Sequence, residues 1–178
     1  MSTARKILLL GGIALAVWGM SYGLWYAVFG EHQALEEIGS SLAAGFGGAA
    51  ARNSALAESA FHQYQQAKYG YDRQVDVHGH WIGLAMVLIV LGIGLDRLAF
   101  SERIKMLLSV SALLGSFLFP LGVLLQTLDR GNGPRALAVL GSALVIGAFG
   151  TFALGFARKS ACAPQKNASV LDSTNQFN

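Results

Sequence analysis

Met106 to Leu128 reads MLLSVSALLGSFLFPLGVLLQTL, without one charged side chain. An α-helix rises about 1.5 Å per residue and a bilayer core is about 30 Å thick, so about 20 apolar residues suffice to cross it. The stretch predicts a membrane-spanning helix, and the fold then depends on how many such stretches the chain holds. Ile7 to Phe29 (ILLLGGIALAVWGMSYGLWYAVF) and Ala136 to Ala157 (ALAVLGSALVIGAFGTFALGFA) are equally free of charge. Trp81 to Leu95 is also uncharged but too short, so its span must borrow Val77 and the neighbouring histidines at one end, or Asp96 and Arg97 at the other. The expected spans are 7–29, 77–97, 106–128 and 136–157. They define an all-α, integral membrane four-helix bundle in a single domain, 1–160, followed by a polar, disordered cytoplasmic tail, 161–178.

Composition agrees. The chain has 178 residues, 53% hydrophobic and 13% charged, about half the charge of a soluble domain. That excludes a disordered chain and argues against a soluble enzyme. The lone Cys162 excludes an internal disulfide and a multi-cysteine metal site. There is no Gly-x-Ser-x-Gly, no His-Glu-x-x-His and no phosphate-binding glycine loop, so no catalytic residue is assigned. No carboxylate pair lies within a span, which leaves an ion-coupled transporter unsupported. The net charge of +3 reflects retained cytoplasmic basic residues and calls for no nucleic-acid partner.

The basic residues also orient the chain. Arg5, Lys6, Arg97, Arg103, Lys105, Arg158, Lys159 and Lys166 fall on one side; Arg52, Lys68, Arg73, Arg130 and Arg135 fall on the other. This bias places both termini in the cytoplasm of a cell inner (plasma) membrane. The first span has the basic start of a signal peptide, but its apolar run continues to Phe29, beyond the length of a signal core, so it is expected to be retained.

Residues 30–76 then form an extracytoplasmic segment, with six acidic residues against three basic ones. Leu35, Ile38, Leu42, Phe46 and Ala49 follow helical spacing, so 33–51 reads as an amphipathic helix that Gly45, Gly47 and Gly48 weaken or break. A second helix is expected over 54–69, capped by Ser54. Together they predict a helical cap over the outer mouth of the bundle. Small residues mark close helix contacts at Gly19 and Gly23, at Gly79 and Gly83, and at Ala143, Gly147, Thr151 and Gly155. Pro120 should kink the third span.

All four histidines, His32, His62, His78 and His80, lie from the end of the first span to the start of the second. Neutral imidazole is the commonest metal ligand and an axial haem ligand. On a continuous helix, residues two apart diverge by about 200°, so His78 and His80 could not bind one metal together; if the helix begins near Gly79, one can ligate while the other hydrogen-bonds or faces solvent. His62 is the next candidate partner. Trp18, Tyr22, Trp25 and Phe29 recur at helical spacing and, with Trp81, make an aromatic wall at the same depth. Such a wall suits a flat ring or an ordinary aromatic belt.

His78 to Leu91 (HGHWIGLAMVLIVL) resembles the histidine-bearing second helix of small membrane proteins that are themselves similar to part of the haem-copper oxidase large subunit. The resemblance implies that His78 or His80 is an axial haem ligand. In those oxidases the partner ligand comes from another span, whereas here the other three spans hold no histidine. The functional expectation is a haem- or transition-metal-binding membrane protein, accessory to an electron-transfer or oxidase complex. His78, His80 and His62 are the candidate ligands, and Trp18, Tyr22, Trp25 and Trp81 line the site. The rival expectation is a cofactor-free structural or assembly subunit, embedded in the lipid bilayer within a larger membrane complex or a homo-oligomer.

Overall fold

The computed structural model describes residues 1–129 and 131–161, without the side chains of 159–161. Arg130, Cys162, Lys166 and the expected tail beyond 161 lie outside the described residues, as does the side chain of Lys159. The described chain is helical throughout: α1 (Thr3–Phe29), α2 (Glu31–Ala50), α3 (Ser54–Gly94) with a 3-10 turn at Leu95–Arg97, α4 (Glu102–Leu128) and α5 (Asn132–Ala161). Four of these helices, all but α2, are long and apolar enough to cross a membrane.

The main departure from the sequence reading is α3. The cap helix expected over 54–69 and the span expected over 77–97 are one continuous helix, Ser54–Gly94. At about 1.5 Å per residue its 41 residues extend about 60 Å, twice a bilayer core. The backbone ladder is indifferent to whether lipid or water surrounds it, so the change in composition near Asp76 is a change of solvent and not a helix end. Asn53, not Ser54, caps it, with its side-chain oxygen accepting from the Leu56 N–H at 3.1 Å.

α1 and α2 run alongside α3 in one register. They meet at Gly30, whose N–H donates to Tyr26 O at 2.8 Å while its carbonyl accepts from Ala34 N at 3.1 Å, so the chain scarcely breaks there. Gly92 of α3 lies against Leu8 and Leu9, Gly12 of α1 against Ala85 and Ile89, and Gly19 against Trp81 and Ile82. Further along, Gly45 and Gly48 of α2 face Ala60 and Ala57. The α2 glycines therefore do not break the helix. A Cβ on Gly48 would lie 2.8 Å from Ala57 N, so this glycine allows two backbones to touch. A turn at Ala51–Asn53, with Arg52 at φ 53, reverses the chain.

The segment between the first two spans is thus a hairpin standing along α3, not a lid across the bundle. Tyr71 of α3 is level with the α1–α2 junction, where its hydroxyl donates to Glu31 at 3.4 Å. The part of α3 beyond it, with α2, projects by about 25–30 Å.

α4 packs on α1, α3 and α5, while α5 packs chiefly on α4. The α4–α5 contact is made by glycines: Gly115 meets Gly141 O at 2.8 Å, and Gly122 and Gly141 lie on the backbones of Ala138 and Phe119. The small-residue stripe expected on α5 is a different face from the one it buries. Of its members Gly155 packs, on Leu98 and Phe100, but nothing approaches Gly147. Gly79 and Gly83 of α3 also face open space. Leu8, Val77, Trp81, Leu88, Ala112 and Phe152 fill the core, while Leu10, Met20, Leu24, Val90, Leu107 and Ile146 stay exposed, as lipid-facing positions do. At the end away from the hairpin, Arg5 pairs with Asp96 at 2.8 Å and Lys105 with Glu102 at 3.2 Å.

Candidate functional site

The histidine step lies at the middle of α3, where the helix passes from the hairpin into the bundle. Because α3 is unbroken, the two side chains diverge as the helical angle requires. His78 turns toward α1. Its Nδ1 lies 2.9 Å from Gly19 O, and its ring rests on Gly23, where a Cβ would collide with it. His80 turns the other way, with Nδ1 2.6 Å from Asp76 O and its ring edge-on to Phe119 of α4 at 5.0 Å. A carbonyl oxygen only accepts, so both rings carry their proton on Nδ1 and leave Nε2 as the lone-pair atom in the neutral form. That is the tautomer of an Nε2 ligand whose second nitrogen is fixed by backbone.

The three candidate ligands do not meet. His62 is sixteen residues before His78 on the same helix, about 24 Å along its axis. It borders a shallow surface depression with Gln65, Gln66 and Tyr69. His32 is exposed on α2. Among the described residues no three His, Cys, Asp or Glu side chains come together. One chain therefore offers a haem or metal at most one of these histidines at a time. Of the pair at the step, His78 is wedged between helices, whereas His80 borders an open furrow of about 460 Å³ with Val75, Asp76, Gly79, Gly83 and Leu84.

The aromatic residues do come together, around Trp81. This indole is 0% exposed. Trp18 meets it edge-on at 6.0 Å, Tyr22 edge-on at 5.2 Å, and Phe117 stacks on it at 6.4 Å. Trp25 joins through Tyr22 at 5.9 Å. The middle of the wall is thus filled by protein: these five aromatic residues form a cluster around a buried Trp81, with Trp18 and Trp25 half exposed at its edge and an open groove of about 330 Å³ beside it bordered by Trp18, Leu113 and Phe117. Trp81 Nε1 donates to Phe117 O at 3.3 Å, one residue from the carbonyl of Ser116 that loses its usual donor to Pro120. Pro120 lies buried within a continuous α4, and the Ser116 hydroxyl beside it is buried without a partner among the described residues.

Around the step, Tyr22 donates to Gln74, and Tyr26 stacks loosely with Tyr71 at 6.5 Å. These contacts tie the base of the hairpin to α1. Two further features were not read from the sequence. One is an apolar groove of about 300 Å³ near the hairpin tip, bordered by Leu42, Gly45, Phe46, Ala57, Phe61 and Tyr64. The helical spacing on α2 and the aromatic edge of Phe61 and Tyr64 on α3 were both visible, but not that the two face one another across a groove. The other is a polar cleft of about 410 Å³ among Tyr69, Arg73, Gln126, Gly131 and Arg135. Those residues are far apart in sequence, and no local pattern announces them.

Fold and site together define a multi-pass helical bundle with a projecting two-helix arm. No protein-family profile, curated protein or solved structure matches the chain.

Proposed function

We propose that this protein is a structural or assembly subunit of a larger membrane complex, with the α2–α3 hairpin as its docking arm. One observation carries the reading: an apolar groove lies open on a helical pair that projects clear of the spans. Phe46 is 75% exposed at its rim, and the seam beneath is built of small residues. Two helices with an open apolar side are completed by a third laid into the groove. Over 31–70 the arm carries Glu31, Glu36, Glu37 and Glu58 against Arg52 and Lys68, and Lys68 is paired with Asp72, so the complementary occupant is a basic amphipathic helix of a partner subunit. The bias of Lys and Arg puts the termini in the cytoplasm and the arm outside, across a cell inner membrane.

A photo-crosslinking residue at position 46 tests this. The expected result is one discrete adduct with a partner subunit in native membranes, lost in Phe61→Glu and absent from a probe at exposed Gln33. An adduct only with a second copy of the chain, or none at all, refutes the partner-subunit reading.

A second reading is favoured by His80 alone: its Nδ1 sits on Asp76 O and the residue borders the furrow. There His80 would hold a haem iron or transition metal, with the second protein ligand from a neighbouring chain, in an accessory role to an electron-transfer complex. Bound haem supplies one-electron chemistry; the chain's part is to fix the imidazole. Protein purified with haem available should then show a Soret band that His80→Ala abolishes and His78→Ala leaves. A colourless preparation without metal by elemental analysis defeats this reading.

A further inference from the structure

The polar cleft and the furrow lie on one face of α3. Tyr69, Arg73, Asp76, His80 and Gly83 succeed one another at three- and four-residue steps, so they share one stripe of the helix. The cleft lies at the level where the spans end: α4 stops at Leu128, α5 starts at Asn132, and α1 gives way to α2 beside Tyr71. Two guanidiniums border it, from different helices. Arg73 is held over the Tyr69 ring at 5.1 Å, and Arg135 belongs to the first turn of α5. Among the described residues neither pairs with a carboxylate within 4.0 Å. The nearby Asp129 is engaged by the Gly131 N–H at 2.8 Å, and Gln126 donates to Gly122 O at 3.3 Å.

Further along the same stripe, toward the bundle, lies the furrow, with a glycine floor. A Cβ built on Gly79 or Gly83 meets no atom within 4 Å. Its bordering side chains are Val75, Leu84, Asp76 and His80. Positive charge at the membrane boundary above a channel open toward the bilayer core is the pattern of a phosphate head with a hydrocarbon chain. Guanidinium forks match phosphate oxygens in geometry as well as charge. Asp76, about one turn below Arg73, repels an anion placed at its own depth, so a phosphate must lie at the level of the arginines and not of the furrow.

We propose that Arg73 and Arg135 hold the phosphate of a membrane phospholipid whose acyl chain lies in the Gly79–Gly83 furrow. The site is independent of the docking arm, but it shares its furrow with His80, so a haem or metal held there and an acyl chain would compete for the same space. Inorganic phosphate shares the head-group chemistry but not the chain, and the experiment separates them.

The full chain, stripped of lipid in detergent, is offered phosphatidylglycerol, phosphatidylethanolamine, monoolein or inorganic phosphate, and retention is counted by native mass spectrometry. Both phospholipids should be retained, and both should be held about tenfold more weakly by Arg73→Gln/Arg135→Gln. Gly83→Leu should weaken retention similarly with both arginines intact, since its Cβ meets no neighbour and its side chain is added at the furrow. Arg103→Gln, at the opposite end, should match wild type. Undiminished retention by the double arginine variant overturns the proposal, as does monoolein held as firmly as a phospholipid. Inorganic phosphate bound as tightly as phospholipid overturns the lipid assignment.

Discussion

Replacing Gly23 by alanine should force α1 and α3 apart at the histidine step, and removing His78 should undo the damage. The added Cβ would lie 2.9 Å from His78 Cγ and closer still to two other ring atoms. The ring cannot swing clear without giving up its bond to Gly19 O. Overpacking of this kind costs about 1–3 kcal/mol. His78→Ala alone loses a hydrogen bond between helices, worth on average about 0.6 kcal/mol in membranes, together with the packing of the ring. In the double variant the new methyl enters space the imidazole has vacated, so Gly23→Ala should then cost almost nothing. The predicted coupling is about 1–3 kcal/mol, favourable to the double variant. Reversible unfolding in mixed micelles, run on wild type, both single variants and the double, measures it. A coupling within about 0.5 kcal/mol of zero would falsify the claim that His78 is chiefly a helix-packing residue on Gly23.

Three other outcomes follow from the packing. Trp81→Phe should destabilise the bundle by about 1–3 kcal/mol, because the indole is fully buried and its hydrogen bond to Phe117 O between helices is lost; thermal unfolding in detergent reads this. Gly48→Val should open the hairpin while sparing the spans, since its side chain would strike the Ala57 backbone, whereas Gly39→Val, with nothing near it, should not. Hydrogen exchange confined to 31–70 distinguishes the two, and equal protection in both variants refutes the seam. Gly122→Val should loosen α5 from α4, where Gly147→Val on the open side should leave stability within about 0.5 kcal/mol of wild type.

The spans were legible because the bilayer imposes a harsh condition on sequence: a charge within them is expensive, so its absence over Ile7–Phe29 or Met106–Leu128 is a strong sign. The continuity of α3 was not. Asp72, Arg73 and Asp76 look like a boundary, and they are one for solvent, but a helix needs only its own backbone ladder to cross it. The α2 glycines misled for a related reason. Their low propensity was visible, while the close approach of Ala57 that makes Gly48 favourable was not. All four histidines fall from the end of the first span to the start of the second, yet which way His78 and His80 point depends on the register of α3, and that register sends them to opposite faces. The aromatic spacing of Trp18, Tyr22 and Trp25 was correctly helical; that Trp81 occupies the middle of their cluster is a fact of three helices and not of one.

The length of α3 has a mechanical consequence. A helix of 41 residues without a break is a stiff rod of about 60 Å. Near its midpoint, His78 and Trp81 lock it against α1 and α4, which makes that contact a fulcrum. A tilt of about 10° by the buried part would swing the hairpin tip by about 7 Å about this point, on a lever arm of about 38 Å. The load at one end is then felt at the other, so strain placed on the arm is delivered to the glycine-lined contacts inside the bilayer.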